Sequence, residues 1–127
     1  GWAPFVSMQN QYSLLYREEE REMLPLCREE GIGVIPWSPL ARGYLAGNRG
    51  GAAPATNRAG ADKLGAALFN TDADRATIAA VGAVAGKLGV SMAQVAYAWV
   101  ATRAGVTSPI FGIAAIRRCR GVAVIAS

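Results

Sequence analysis

The chain contains no histidine. That absence excludes Ser-His and Cys-His nucleophilic pairs, imidazole metal ligands and imidazole acids or bases within its 127 residues. Cysteine is scarce. Cys27 and Cys119 have no zinc-site spacing and suggest no disulfide scaffold, so a reduced, cytoplasmic chain is expected. Charge is sparse as well, at 17% of residues against about 25% in an average soluble domain. No apolar run reaches the roughly 18 residues that a membrane span needs, and no segment resembles a signal peptide. The first residue is Gly1 rather than methionine, as expected of a fragment or a processed chain.

What is present is apolar and punctuated by turns. Hydrophobic residues make up 52% of the chain and glycines number 15, enough apolar content for one compact core and a composition that favours an α/β domain. The net charge of +4 raises the question of a nucleic-acid partner, and its distribution argues against one. Most acids fall between Glu18 and Glu30, while Arg103, Arg117, Arg118 and Arg120 end the chain with only Phe111 among them for stacking.

Periodicity places the elements. The run 4–9 reads as a buried strand, and residues 17–30 as an amphipathic helix in which Pro25 must start or kink a turn and Gly31 closes the end. A second strand covers 32–37, and a long loop follows from Ser38 to about Ala61. Asp72 can cap a helix that runs to Leu88 and stops at Gly89; Ser91 caps another, with Trp99 as a core anchor and Gly105 at its end. A third strand covers 106–111. This order is the repeated βα unit of a parallel sheet. Three strands cannot close an eight-stranded barrel, and their sheet would keep open edges, so self-association through those edges is expected.

Ligands of parallel α/β folds meet the carboxyl ends of the strands, which here are Gln9, Trp37-Ser38 and Gly112. Gln9 offers one acceptor and two donors, the complement of a carboxamide such as that of nicotinamide; the same amide can also cap strand backbone at the rim. Trp37 offers a flat indole that can cover one face of a planar ring and leave the other open. Ser38-Pro39-Leu40-Ala41-Arg42-Gly43 supplies a hydroxyl, backbone amides, a guanidinium and a glycine, a set that suits a pyrophosphate. Neither a Walker lysine nor G-x-G-x-x-G follows a strand. Arg49 and Arg58 either reach a phosphate or adenine or are solvated loop charges.

Four blocks carry a family resemblance: Val6-Ser7-Met8-Gln9-Asn10-Gln11-Tyr12-Ser13-Leu14-Leu15, Met23-Leu24-Pro25-Leu26-Cys27, Gly31 through Gly43, and Ala93 through Val100. In this order and spacing they resemble the C-terminal part of aldo-keto reductases, over roughly residues 3 to 112. The resemblance implies an α/β fold that is a partial (β/α)8 barrel, with strands six to eight present here, and NADPH-dependent carbonyl reduction. It places Gln9 on the nicotinamide carboxamide, Trp37 against the nicotinamide ring, Ser38, Leu40, Arg42 and Gly43 around the pyrophosphate, and Arg58 near the adenosine end. The family's catalytic tyrosine and its aspartate, lysine and histidine partners lie on earlier strands, and Tyr12, Tyr16, Tyr44 and Tyr97 do not match that tyrosine. No catalytic residue and no metal ligand is therefore assigned. A small carbonyl substrate is expected only with the N-terminal half added; a non-catalytic cofactor-binding or interaction module and an incomplete gene product are the alternatives. Residues 113–127 depart from the family pattern as a basic and apolar tail, expected of a truncated or frame-shifted end.

Overall fold

Two short strands set the frame. β1 (Ser7–Met8) and β2 (Gly33–Val34) lie parallel, with Ser7 opposite Gly33 and Met8 opposite Val34; this computed structural model describes residues 2–47 and 63–112. The ladder continues beyond both strands. The amides of Gly33, Ile35 and Trp37 donate to the carbonyls of Val6, Met8 and Asn10, and the Tyr12 amide donates to the Trp37 carbonyl.

On the other side of β2 the expected third strand is not continuous. Val34 and Trp37 form isolated parallel bridges with Val106 and Ile110. The Thr107 amide donates to the Val34 carbonyl at 2.8 Å and the Ile110 amide to the Pro36 carbonyl at 2.7 Å. Proline explains the interruption: Pro36 and Pro109 have no amide hydrogen, so the ladder loses a donor on each side. The Val34 amide donates instead to the Thr107 hydroxyl at 3.0 Å. The sheet is thus two strands plus a bridged third segment, and no barrel closes among the described residues.

The helices follow their caps. The expected helix over 17–30 divides into a 3-10 turn at Glu18–Glu20 and α1 (Met23–Glu29). Pro25 sits in the first turn of α1, where an amide hydrogen has no intrahelical acceptor to reach. At the other end Gly31 turns left-handed (φ 68°) and lets the Ile32 amide reach back to the Cys27 carbonyl at 2.8 Å. α2 (Lys63–Leu68) lies just past the span read as loop and was not expected. α3 (Asp72–Leu88) is capped by Thr71 rather than Asp72. Thr71 Oγ1 accepts from the Asp74 amide, and the Asp74 carboxylate accepts from the Thr71 amide, a reciprocal box that Asp72 cannot form from inside the helix. α4 (Met92–Ala101) starts at Ser91 as expected, with Gln94 completing the same kind of box. It ends at Ala101, four residues before Gly105. No single helix among the described residues is long and apolar enough to cross a membrane.

Two apolar clusters hold these pieces together. One lies between sheet and helices and joins Tyr12, Leu24, Cys27, Val34 and Val100, with Met8, Ile32, Trp99 and Val106 packed against it. The other joins Ala41 and Leu45 of a 3-10 turn (Ala41–Ala46) to Phe69, to Val81 of α3 and to Ala96 of α4. Trp99 is more than the core anchor expected. Its ring stacks at 5.3 Å on Tyr12 and carries Arg17 and Arg103 at 5.3 and 4.9 Å.

Around that ring a polar latch closes. Tyr12 Oη donates to Glu20 at 2.6 Å, and Arg17 clamps the same carboxylate through two nitrogens at 2.8 and 2.7 Å. The Arg17 hydrogen bond holds the Glu20 carboxyl below its ordinary value of 4.5. Burial, with the Glu20 contact, raises the Tyr12 phenol above 10. A carboxyl with a depressed folded pKa stabilises the fold fully above its unfolded value, and that stability is lost as pH falls through the folded one. Glu20→Gln is therefore expected to flatten the fall in stability on the acid side of pH 4.5, and Tyr12→Phe to cost about 1 kcal/mol at neutral pH; urea denaturation across pH 3 to 7 reads both.

Candidate functional site

Strand alternation sorts the side chains of the ladder onto two faces. Met8, Tyr12 and Val34 turn toward the helices, in the first cluster. Asn10 and Pro36 share that side and are buried; neither amide atom of Asn10 has a hydrogen-bond partner among the described residues. On the other face, Gln9 falls level with Ile35, and the next row runs Gln11, Trp37, Ile110 through two parallel bridges. This face is open. Gln9 is exposed, Gln11 half-buried, and Trp37 and Ile110 retain 43% and 41% of their exposure.

The structure thus brings Gln9 and Trp37 onto one face of adjacent chains, with Gln9 two residues deeper than the level of Trp37, or about 6.6 Å along the strand. No hydrogen bond within the described residues occupies the carboxamide of Gln9. Sequence reading missed Gln11 and Ile110. The signal for Gln11 was its two-residue spacing from Gln9; Ile110 could be aligned with Trp37 only through the bridge itself.

The chain leaves β2 through a strained turn. Ser38 (φ 59°), Ala41 (φ 45°) and Arg42 (φ 56°) are left-handed without being glycine, and Gly43 follows at φ 97°. Each non-glycine in this region costs about 1–2 kcal/mol, so packing must hold the turn in place. Ala41 and Leu45, both fully buried in the second cluster, supply that anchor. The result is a tight coil: the Ala41 amide donates to the Ser38 carbonyl, the Gly43 and Leu45 amides to the Leu40 carbonyl, and the Arg42 amide to Ser38 Oγ at 3.4 Å.

These bonds divide the pyrophosphate candidates by what each can still offer. Ser38 is half-buried and presents its hydroxyl at the start of the turn, and the Arg42 side chain is exposed. Leu40 packs its side chain against the second cluster, which leaves only its main chain for a ligand. Gly43 has spent its amide on Leu40, so its contribution is its conformation. Arg49, Arg58, Cys119 and the tail 113–127 lie outside the described residues. Gly43→Ala is expected to destabilise the protein by about 1–2 kcal/mol, because φ 97° is unfavourable for any residue with a Cβ; equilibrium denaturation measures it.

The model of a family described as "Aldo/keto reductase family" matches residues 1–125. Versiconal hemiacetal acetate reductase of Aspergillus parasiticus is 48% identical over 102 residues, 78% of this chain and 29% of the relative. An aldo-keto reductase of Alternaria alternata is 46% identical over 119 residues, 93% of this chain and 31% of the relative. One from Metarhizium robertsii is 43% identical over 121 residues, with coverage of 93% and 31%. The chain spans about a third of the length of the curated relatives it matches.

Proposed function

The chain belongs to the aldo/keto reductase family, and we propose that it is the cofactor-binding portion of an NADPH-dependent carbonyl reductase. Family membership implies a (β/α)8 barrel and a nicotinamide cofactor. The observation that carries the reading is the open sheet face that Gln9 and a 43%-exposed Trp37 share, Gln9 one pleat deeper, next to the left-handed turn 38–43. An exposed indole, an uncommitted carboxamide and a hydroxyl-and-guanidinium turn match the three chemistries of such a cofactor: planar ring, carboxamide and pyrophosphate.

When bound, the cofactor supplies a hydride from nicotinamide C4 to a carbonyl carbon. Trp37 would lie against one face of the nicotinamide ring and leave the other face open to a substrate. Gln9 would hold the carboxamide and so orient the ring against Trp37. Ser38 and Arg42 would hold the pyrophosphate, with Leu40 and Gly43 shaping the turn, and the family resemblance alone assigns Arg58, outside the described residues, to the adenosine end. The general acid is assigned to none of the four tyrosines. Tyr12 is buried, commits its hydroxyl to Glu20 and has its proton held more tightly than usual; the rings of Tyr44 and Tyr97 pack on Phe69 and Phe111; Tyr16 lies outside the ladder, in a turn bridged to Ser13.

NADPH titrated into the purified chain is expected to quench tryptophan fluorescence saturably, and Trp37→Ala to abolish the quenching that Trp2 and Trp99 do not carry. Saturable binding that survives unchanged in Trp37→Ala overturns the assignment. Loss of a general acid costs about 10²–10⁴ in rate, so the chain by itself is expected to consume no NADPH with aldehydes; steady turnover by protein freed of host reductases overturns this second point.

One observation favours a second reading, an interaction module. Among the described residues β1 pairs on one side only, and Trp2, Phe5 and Val6 beside it are 101%, 84% and 81% exposed. A second copy pairing along that edge would cover them. Light scattering is expected to give a dimer that Val6→Lys dissociates, and a monomer at micromolar concentration removes this reading.

A further inference from the structure

The geometry points to Gln11 as a further cofactor-binding residue and a second glutamine at that site, one whose carboxamide hydrogen-bonds the nicotinamide riboside beside the Trp37 ring; the inference rests on the cofactor reading above. The register carries it. The Trp37 amide donates to the Asn10 carbonyl at 2.8 Å and the Trp37 carbonyl accepts from the Tyr12 amide at 3.3 Å, so Trp37 straddles Gln11 as its direct partner in a parallel bridge. Direct partners project from the same face of a sheet, with neighbouring backbones about 4.8 Å apart.

Gln11 is therefore level with the indole, and Gln9 is one pleat deeper, level with Ile35. The two amides present the same donors and acceptor at two depths along one face. In nicotinamide riboside the ribose on N1 is meta to the carboxamide on C3, so a ring lying on Trp37 with its carboxamide turned down to Gln9 sends its ribose out sideways near the level of the indole, where the neighbouring side chain on the β1 chain is Gln11. The ribose carries hydroxyls, which both donate and accept, as the Gln11 amide does. The residue is also poised for it: Gln11 is half-buried, which limits the rotamers it must give up, and no hydrogen bond within the described residues occupies its carboxamide. Its neighbour Asn10 faces the helices and cannot substitute.

The test uses the full chain, NADPH, and adenosine 2′,5′-bisphosphate as a competitor that lacks the nicotinamide riboside. Gln11→Leu is expected to weaken NADPH binding about 2- to 12-fold, the worth of one net hydrogen bond, while the competitor binds as before and the melting temperature is unchanged. Gln11→Glu keeps the size of the side chain, so it guards against a folding defect, and is expected to weaken NADPH as well by replacing the donor with a charge. NADPH affinity unchanged in both variants overturns the inference, as does an equal loss for NADPH and the competitor. If Trp37→Ala loses NADPH while both Gln11 variants retain it, only the Gln11 assignment falls. If the unaltered chain binds no NADPH, the cofactor reading falls and Gln11 with it.

Discussion

The parallel ladder centred on residues 33–37 is the constraint on which the other features depend. Amides of Gly33, Ile35 and Trp37 point to β1, and carbonyls of Val34 and Pro36 point to the segment 106–110. That alternation leaves no freedom in which side chains share a face. A slip of one residue would place Trp37 against the helices and Val34 in solvent, reversing core and site together. Proline makes the slip harder still, because Pro36 has no amide to offer and Thr107 has to complete the pairing at Val34 with its hydroxyl.

The helices serve this ladder from one side. Val34 and Val100, both fully buried, are where sheet and α4 meet, and Tyr12 brings the chain leaving β1 into the same cluster. The Tyr12–Glu20–Arg17 latch then closes over Trp99, tying the loop after β1 to α4. The second cluster has a different task. By burying Ala41 and Leu45 it holds three non-glycine residues left-handed in the turn after β2. Strain of that kind persists only where the surroundings over-determine the backbone, and here α3 and α4 do so from beneath.

Much of this is legible in the amino-acid sequence. The caps at Ser91, Gly31 and Gly89 and the choice of Gln9 and Trp37 follow from local chemistry or short-range spacing, although β1 ends at Met8 and β2 at Val34, so both residues lie in the ladder beyond the strands. The cap at Thr71 was placed one residue late because Asp72 is itself a good cap, and only the return bond from Asp74 distinguishes the two. The third strand was read as continuous because Val106, Thr107, Ile110 and Phe111 have strand character; Pro109 and the absent amide of Pro36 across the ladder interrupt it, and the second of these is a long-range fact. α2 lay beyond reach for another reason: Lys63–Leu68 follows a span of glycine and alanine with no clear period, and its six residues are fewer than periodicity can resolve.

The amino-acid sequence by itself determined the family. A chain without histidine, with a glutamine and a tryptophan closing two strands and with Ser38 through Gly43 after the second, is legible because residue type and order are one-dimensional properties. The tertiary structure decided which of those residues meet. Only the register between chains separated by more than twenty residues puts Gln11 level with Trp37 and Ile110, and only burial of Ala41 and Leu45 makes a left-handed turn out of residues that individually disfavour it. Pairing register and packing are set by contacts between distant parts of the chain, and no local pattern encodes them.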